Sequence, residues 1–471
     1  MMCGYKVVSM SILGTPVLLR VGDSAGGAFG APSLPSSDAA TFGTPVHDRA
    51  AAAALAAYSN YETDPPPPGG WTEFLKGLEL RFQGSRVNLP DGDYDTDQTF
   101  FKVDKATPVW NVAVTKFVVM LIHPPSMTRY TIYKPVGEPG GFGAAWEFTL
   151  DIHPGGADAP PSAHLRDYPK RLLVKFFREI ASVGTAQEVE RLERMQAIDA
   201  ARLAAAAPNR SRGAGRQDIS GDQPTPDRVQ TRVLYDDLGV PCVVMPRLSG
   251  VLPYGKDMPV ALAMEVIRAV FVDIENMYKR YQLLSFDLKG SNVLLDVRGG
   301  RVRVRATDFG GYGNVGAEVI TTYPLPWNLK ARVRELRDHS GKPYLDKEIF
   351  NALSEEMSVY QLGTLLLELT VGYKTAIPIN LKYVQHSFLA SMVDSSGGVN
   401  ISYTKRYWGD VIRSPVWTPD AVAFLRYVTR YDDARGIGAS FERTNLAGLR
   451  DLLIPTEVID LTGDSTMSDA A

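Results

Sequence analysis

The chain has 471 residues, with 50 Lys and Arg against 53 Asp and Glu, a formal net charge of -3 and a hydrophobic fraction of 45%. That balance argues against a nucleic-acid coat or a polybasic membrane anchor, and it is ordinary for a globular protein with a real core. Two cysteines, Cys3 and Cys242, cannot build a disulfide framework, so the chain is expected to work reduced inside a cell, in cytoplasm or nucleus.

Residues 7–19 (VVSMSILGTPVLL) have the look of a secretory core behind Lys6. Ser, Gly, Thr and Pro interrupt them and no small-residue cleavage site follows, so no leader is expected. No apolar run is long enough to cross a membrane. Residues 22–70 are rich in Ala, Gly, Ser and Pro and end in a tetraproline and two glycines, which predicts a disordered arm over 1–70. Order is expected from Trp71, with 71–126 an extension that packs on a β-rich unit. The β-branched run 112–122 predicts a strand, as do 130–136, 144–152 and 171–177. Thr185 opens a helical stretch to Ala206. Residues 207–230 are polar, Gly/Pro-rich and aperiodic, an inserted loop. Two further strands are expected at 231–235 and 242–245. The period then changes: Ala263, Val266, Ile267, Val270, Ile274, Met277 and Tyr281 share one helical face. Helices follow at 357–371 and 419–430. Strands first and helices after give an α+β chain in two lobes, divided at about 250, with an acidic tail at 456–471.

The chemistry concentrates in 284–296, L-S-F-D-L-K-G-S-N-V-L-L-D, and in Thr307-Asp308-Phe309-Gly310 after a hairpin. Asp287, Lys289 and Asn292 lie in one loop, and the hairpin returns a second carboxylate, Asp308. Phosphoryl transfer needs such a set: a carboxylate for the attacking hydroxyl, a cation for the γ-phosphoryl, and two oxygen ligands for magnesium.

These residues resemble the serine/threonine protein-kinase family, whose loops read D-L-K-x-x-N and D-F-G. The resemblance covers about 127–455. It implies a bilobal fold with a small β-rich lobe at 127–250 and a helical large lobe at 251–455. It also implies ATP and Mg2+ as cofactors and transfer to protein hydroxyls. Asp287 and Lys289 are then catalytic, and Asn292 and Asp308 hold the metal. Gly137, Gly140, Gly141 and Gly143 form a glycine turn over the phosphates, with Pro139 inserted in the family spacing. Lys175 in L-L-V-K contacts ATP, and a glutamate on the next helix pairs with it; Glu188, Glu190 and Glu193 compete, and Glu193 is the choice. Met245 is the gatekeeper beside the adenine, with Arg247 and Leu248 as hinge. The resemblance also matches 359–369 to the central helix and Asp432-Asp433-Ala434-Arg435 to a late buried arginine site. The divergence and the Ala/Gly/Pro insertions suit a large DNA virus.

Three departures stand out. Ser285-Phe286 replaces the family's His-Arg before the catalytic aspartate, so a phosphate on the following segment lacks its usual partner. Ser358 stands where an aspartate braces that loop, and no Ala-Pro-Glu is present, Pro343-Tyr344-Leu345-Asp346 being a poor substitute. A pseudokinase scaffold therefore stays open beside the kinase reading. A small-molecule phosphotransferase is disfavoured by Asp308-Phe309-Gly310 and Lys289. In the tail, Val458, Ile459, Asp460 and Leu461 resemble a SUMO-interacting motif, which implies SUMO or SUMO-modified proteins as partners through an added strand.

Overall fold

The computed structural model describes residues 44–59, 62–82, 119–136, 143–151, 163–177, 183–206, 231–235, 241–248, 250–251, 258–298, 301–314, 320–321, 325, 327, 329–339, 346–371, 386–387, 408–436, 438 and 444–454. Gly137, Gly140 and Gly141 lie outside them, as do the inserted loop 207–230 and the tail with Val458, Ile459, Asp460 and Leu461.

The chain mixes strands and helices, as expected of an α+β chain, but helices also precede the first sheet, strands also follow the long helix at 260–281, and structure begins before Trp71. Strand β1 (Thr44–Pro45) is followed by helix α1 (Arg49–Ala56). Asp48 caps α1 by accepting from the Ala50 N–H at 2.8 Å, and alanines of high helix propensity fill it. Ala51, Ala52 and Leu55 are buried. The expected disordered arm is thus corrected from residue 44 onward: a low-complexity composition hid a capped helix with one apolar face.

Helix α2 (Gly70–Gly77) carries Trp71, Phe74 and Leu75 into a second core. Strands β2 (Glu79–Phe82) and β3 (Val119–His123) follow, then β4 (Thr128–Val136), β5 (Gly143–Leu150) and β6 (Arg171–Phe177). After helix α3 (Val183–Ala206) come β7 (Arg232–Tyr235) and β8 (Pro241–Pro246). These strands form a seven-stranded sheet in the order β2-β3-β4-β5-β6-β8-β7. The extension 71–126 therefore lengthens the sheet by two strands and covers one face with α2. Arg232 closes the end of α2 by donating to the Leu75 carbonyl at 2.6 Å and to that of Lys76.

The second half is helical around a small sheet. Strand β9 (Gly250–Val251) leads to helix α4 (Val260–Tyr281), which ends at Gln282 in the left-handed region, φ 59°. Strands β10 (Leu283–Ser285), β11 (Val293–Arg298), β12 (Arg301–Ala306) and β13 (Tyr312–Asn314) follow. Strands β1, β12, β11 and β9 form one sheet in that order, and β10 pairs with β13. A short ladder joins β14 (Ile320–Thr321) to β15 (His386–Ser387), on either side of helices α5 (Leu329–His339) and α6 (Asp346–Val371). Helices α7 (Pro419–Val428) and α8 (Leu446–Leu453) end the described chain. From Glu356 to Thr370 every side chain of α6 is buried, so α6 is the axis of the larger core.

The first segment ties both halves. Thr44 pairs with Val304, and the Thr63 N–H donates to the Val297 carbonyl at 2.8 Å. Next along the chain, Asp64 accepts from the Arg171 N–H at 2.9 Å at the start of β6. Beneath Thr63, buried Asp296 holds Arg305 at 2.9 Å and Arg298 at 2.8 Å, and these cations keep its carboxyl low against the upward push of burial.

Candidate active site

Lys175 sits in the middle of the sheet. Its strand pairs with β5 at Ala145 and with β8 at Val243, and its ammonium leaves the sheet toward α3 and the 308–312 turn. There Nζ donates to Glu188 Oε1 at 2.8 Å and Oε2 at 2.9 Å, and to Asp308 Oδ1 at 3.0 Å. Burial alone would lower the pKa of this ammonium, but the Asp308 and Glu188 carboxylates outweigh it and hold the proton firmly. The same ammonium keeps the Asp308 carboxyl below the usual carboxylate range, against burial. At Glu188 burial prevails over Lys175, and the carboxyl moves up.

Glu188, not Glu193, is therefore the lysine's partner. Thr185, Glu188, Leu192, Met195 and Asp199 form the buried stripe of α3. Glu193 lies one position round from Leu192, is exposed, and accepts from the Tyr235 hydroxyl at 2.5 Å. The apolar periodicity around Glu188 was the signal that selects it.

Asp308 has φ 61° and ψ 72°, an uncommon posture for a residue with a Cβ, held by its surroundings. It opens a single 3-10 turn, Phe309–Gly311, and Phe309 is buried in the larger core. Two glycines let this turn come close. A Cβ on Gly310 would lie 2.8 Å from Glu188 Oε2, and one on Gly311 would lie 2.8 Å from Asp287 Cβ. The Phe286 N–H donates to the Gly311 carbonyl at 2.8 Å, and the Thr307 N–H to the Asn292 carbonyl at 2.7 Å. The turn and the 287–292 loop are thus stitched together at both ends.

Within that loop Lys289 Nζ donates to Asp287 Oδ2 at 2.7 Å, and Asn292 Nδ2 donates to the Asp287 carbonyl at 2.8 Å. With its nitrogen committed, Asn292 presents Oδ1 as an acceptor. Asp308 keeps its side chain 37% exposed despite Lys175. An amide oxygen and an ionised carboxylate are hard ligands of the type magnesium takes together with phosphate oxygens. Among the described residues no group of three His, Cys, Asp or Glu could hold a metal alone. Asn292 Oδ1 and the Asp308 carboxylate could contribute two oxygen ligands to such a metal.

Ser358 was expected to leave the loop without a brace from α6, but Gln361, one turn further on, ties α6 to it. Gln361, wholly buried, accepts from the Leu288 N–H at 2.9 Å and donates to the Phe286 carbonyl at 2.6 Å. It clamps the main chain on both sides of Asp287. Glu368, two turns further along α6, accepts from the Gly290 N–H at 2.5 Å, and burial pushes its carboxyl up to about 7. Neither residue was selected from the sequence.

Met245 is half-buried on β8 opposite Leu173, two residues beyond the position paired with Lys175. Arg247 turns its guanidinium to buried Glu147, at 3.1 Å, and Leu248 is buried. Gly143 opens β5 opposite Phe177; its three glycine companions lie outside the described residues. Arg430 is buried and bound to Glu335 at 3.0 Å, whereas Arg435, in the segment expected to hold a buried arginine, is half exposed on Asp432. Glu335 and the fully buried pair Arg332–Glu356 brace this region from α5 and α6. No protein-family model matches the chain, and no curated protein does.

Proposed function

We propose that the chain is a divergent bilobal protein kinase that transfers the γ-phosphoryl group of ATP, with magnesium, to Ser or Thr hydroxyls of proteins. One observation carries the reading. Lys175 bridges Glu188 and Asp308, while the Asp308 turn is bonded to the loop that holds Asp287, Lys289 and Asn292. A buried lysine shared by two carboxylates from separate elements, beside a third carboxylate and an amide oxygen, suits a polyphosphate and its cation.

In this reading Asp287 accepts and orients the substrate hydroxyl, and Gln361 keeps its backbone in register. Lys289, now on Asp287, moves its charge toward the transferred group. Lys175 contacts the inner phosphates, and Glu188 holds it in place. Asn292 and Asp308 would hold the magnesium, which when bound would supply charge neutralisation at the phosphates. Met245 and the main chain near Arg247 and Leu248 flank the base.

Incubation of the full chain with labelled ATP, magnesium and generic basic and acidic protein substrates tests the proposal. Wild type is expected to transfer label, and Asp308→Asn to lose ~100-fold or more of the rate while staying folded, because one metal ligand is gone. No transfer by wild type would leave the scaffold reading, and equal rates would remove Asp308 from the site.

A further inference from the structure

The α3 turn that carries Glu188 also carries Arg191, three residues on and on the same side of the helix. Arg191 Nη1 donates to the carbonyls of Phe309 at 3.0 Å and Gly310 at 2.9 Å, and to that of Tyr312. Its Nη2 donates to Gln187 Oε1 at 3.2 Å, one turn back, which aims the guanidinium. A planar guanidinium holds its five donors in a fixed fork, so one side chain can keep the carbonyls and the Gln187 oxygen in a set geometry, where an ammonium is a freely rotating point charge. These carbonyls belong to the turn that follows the strained Asp308. One helical turn thus grips the 308–312 segment twice: Glu188 through Lys175 and the Asp308 side chain, Arg191 through the main chain. Phe286, where the family resemblance would put a phosphate-binding arginine, is wholly buried, and its N–H is spent on Gly311.

We infer that Arg191 is a positioning residue: it latches the 308–312 turn to α3 in the posture that sets Asp308 against Lys175, and makes a phosphorylated loop unnecessary. The inference deepens the kinase reading and rests on it for its consequence in catalysis, but the latch itself can be read without activity.

The test uses the full chain as wild type, Arg191→Ala, Arg191→Lys and Gln187→Ala, with two readouts. One is amide hydrogen exchange, comparing 308–312 with 172–176 in β6. The other is kcat and KM with a generic protein substrate after phosphatase treatment. Arg191→Ala is expected to speed exchange at 308–312 by ~10-fold or more while 172–176 stays protected, since only a local opening is made easier. It should lower kcat by ~10- to 100-fold with little change in KM for the protein substrate, because misplaced groups cost the chemical step. Arg191→Lys should fall between, and Gln187→Ala should shift both readouts the same way by less. Phosphatase-treated wild type should keep its rate. Unchanged exchange at 308–312 in Arg191→Ala overturns the latch, and so does wild type that loses most of its rate to phosphatase. If Arg191→Ala also loses protection in β6, Arg191→Lys and Gln187→Ala decide by the same exchange criterion. If wild type transfers no phosphate, the kinase reading fails and exchange alone decides the latch.

Discussion

Gln361 offers a sharp test of how the site is held. Its side chain is wholly buried and gives one bond to each main-chain group flanking Asp287, at 2.6 and 2.9 Å. Truncation takes a partner from a buried carbonyl and a buried N–H, at about 1–3 kcal/mol each, so Gln361→Ala is expected to cost about 2–6 kcal/mol of stability. Gln361→Met distinguishes the clamp from mere packing. It keeps the volume, leaves both groups unmet and leaves no room for a bridging water, so it should be at least as harmful as alanine. If Gln361 only filled space, methionine would be the milder change by the cavity that alanine opens. The measurements are urea unfolding and the rate of phosphate transfer. The rate should fall ~100-fold in either variant, because Asp287 loses its fixed position. Methionine within about 0.5 kcal/mol of wild type, with an unchanged rate, would refute the clamp.

Three other outcomes are expected. Glu188→Gln should lower the transfer rate ~100-fold, since Lys175 loses its buried counter-charge, whereas Glu193→Gln should stay near wild type; the reverse order would restore Glu193 to the site. Glu368 has a folded pKa of about 7, above its ordinary 4.5, so the folded protein keeps a proton that the unfolded chain has already released. Its contribution to stability is thus present at low pH, declines as pH rises toward 7, and is level above it. Relative to Glu368→Gln, wild type should lose roughly 2–4 kcal/mol between pH 5 and 8 in denaturant titrations, and a flat difference would show that the carboxyl is not held up by burial. A peptide of residues 455–471 should shift SUMO resonances with micromolar-range affinity, about -8 kcal/mol or weaker, and the same peptide with Ile459→Ala and Leu461→Ala should not.

Much of the fold was legible because its elements carry strong period signals. Strand β6 was read at its observed bounds, Arg171–Phe177, from an unbroken apolar run. Helix α4 was read from its one-sided apolar stripe, and the site loops from residue types that only a few chemistries combine. What was missed depended on direction rather than type. Glu188 and Glu193 are the same residue on different sides of a helix, and only the buried stripe separates them. Gln361, a turn beyond Ser358, reaches the loop that Ser358 does not, and Arg430 rather than Arg435 is the buried arginine because it turns inward to Glu335 while Arg435 stays in an exposed turn on Asp432. The early segment failed on composition: Arg49–Ala56 looks like low complexity until Asp48 is seen to cap it and β12 to lie beside it.

That early segment has a consequence for how the protein is made. Thr44 meets its partner only when Val304 exists, about 260 residues later, one of the longest-range pairings of this chain. At translation rates of ~5–20 residues per second, β1 and the apolar side of α1 wait tens of seconds in the cell with nothing to cover them. The first described element to be synthesised is then among the last to find its place, and the nascent chain carries this apolar segment uncovered, and too short to hold a helix by itself, until its partners emerge. Chaperone dependence, and sensitivity of yield to growth temperature, should trace to Ala51, Ala52 and Leu55 rather than to the sheet that folds behind them.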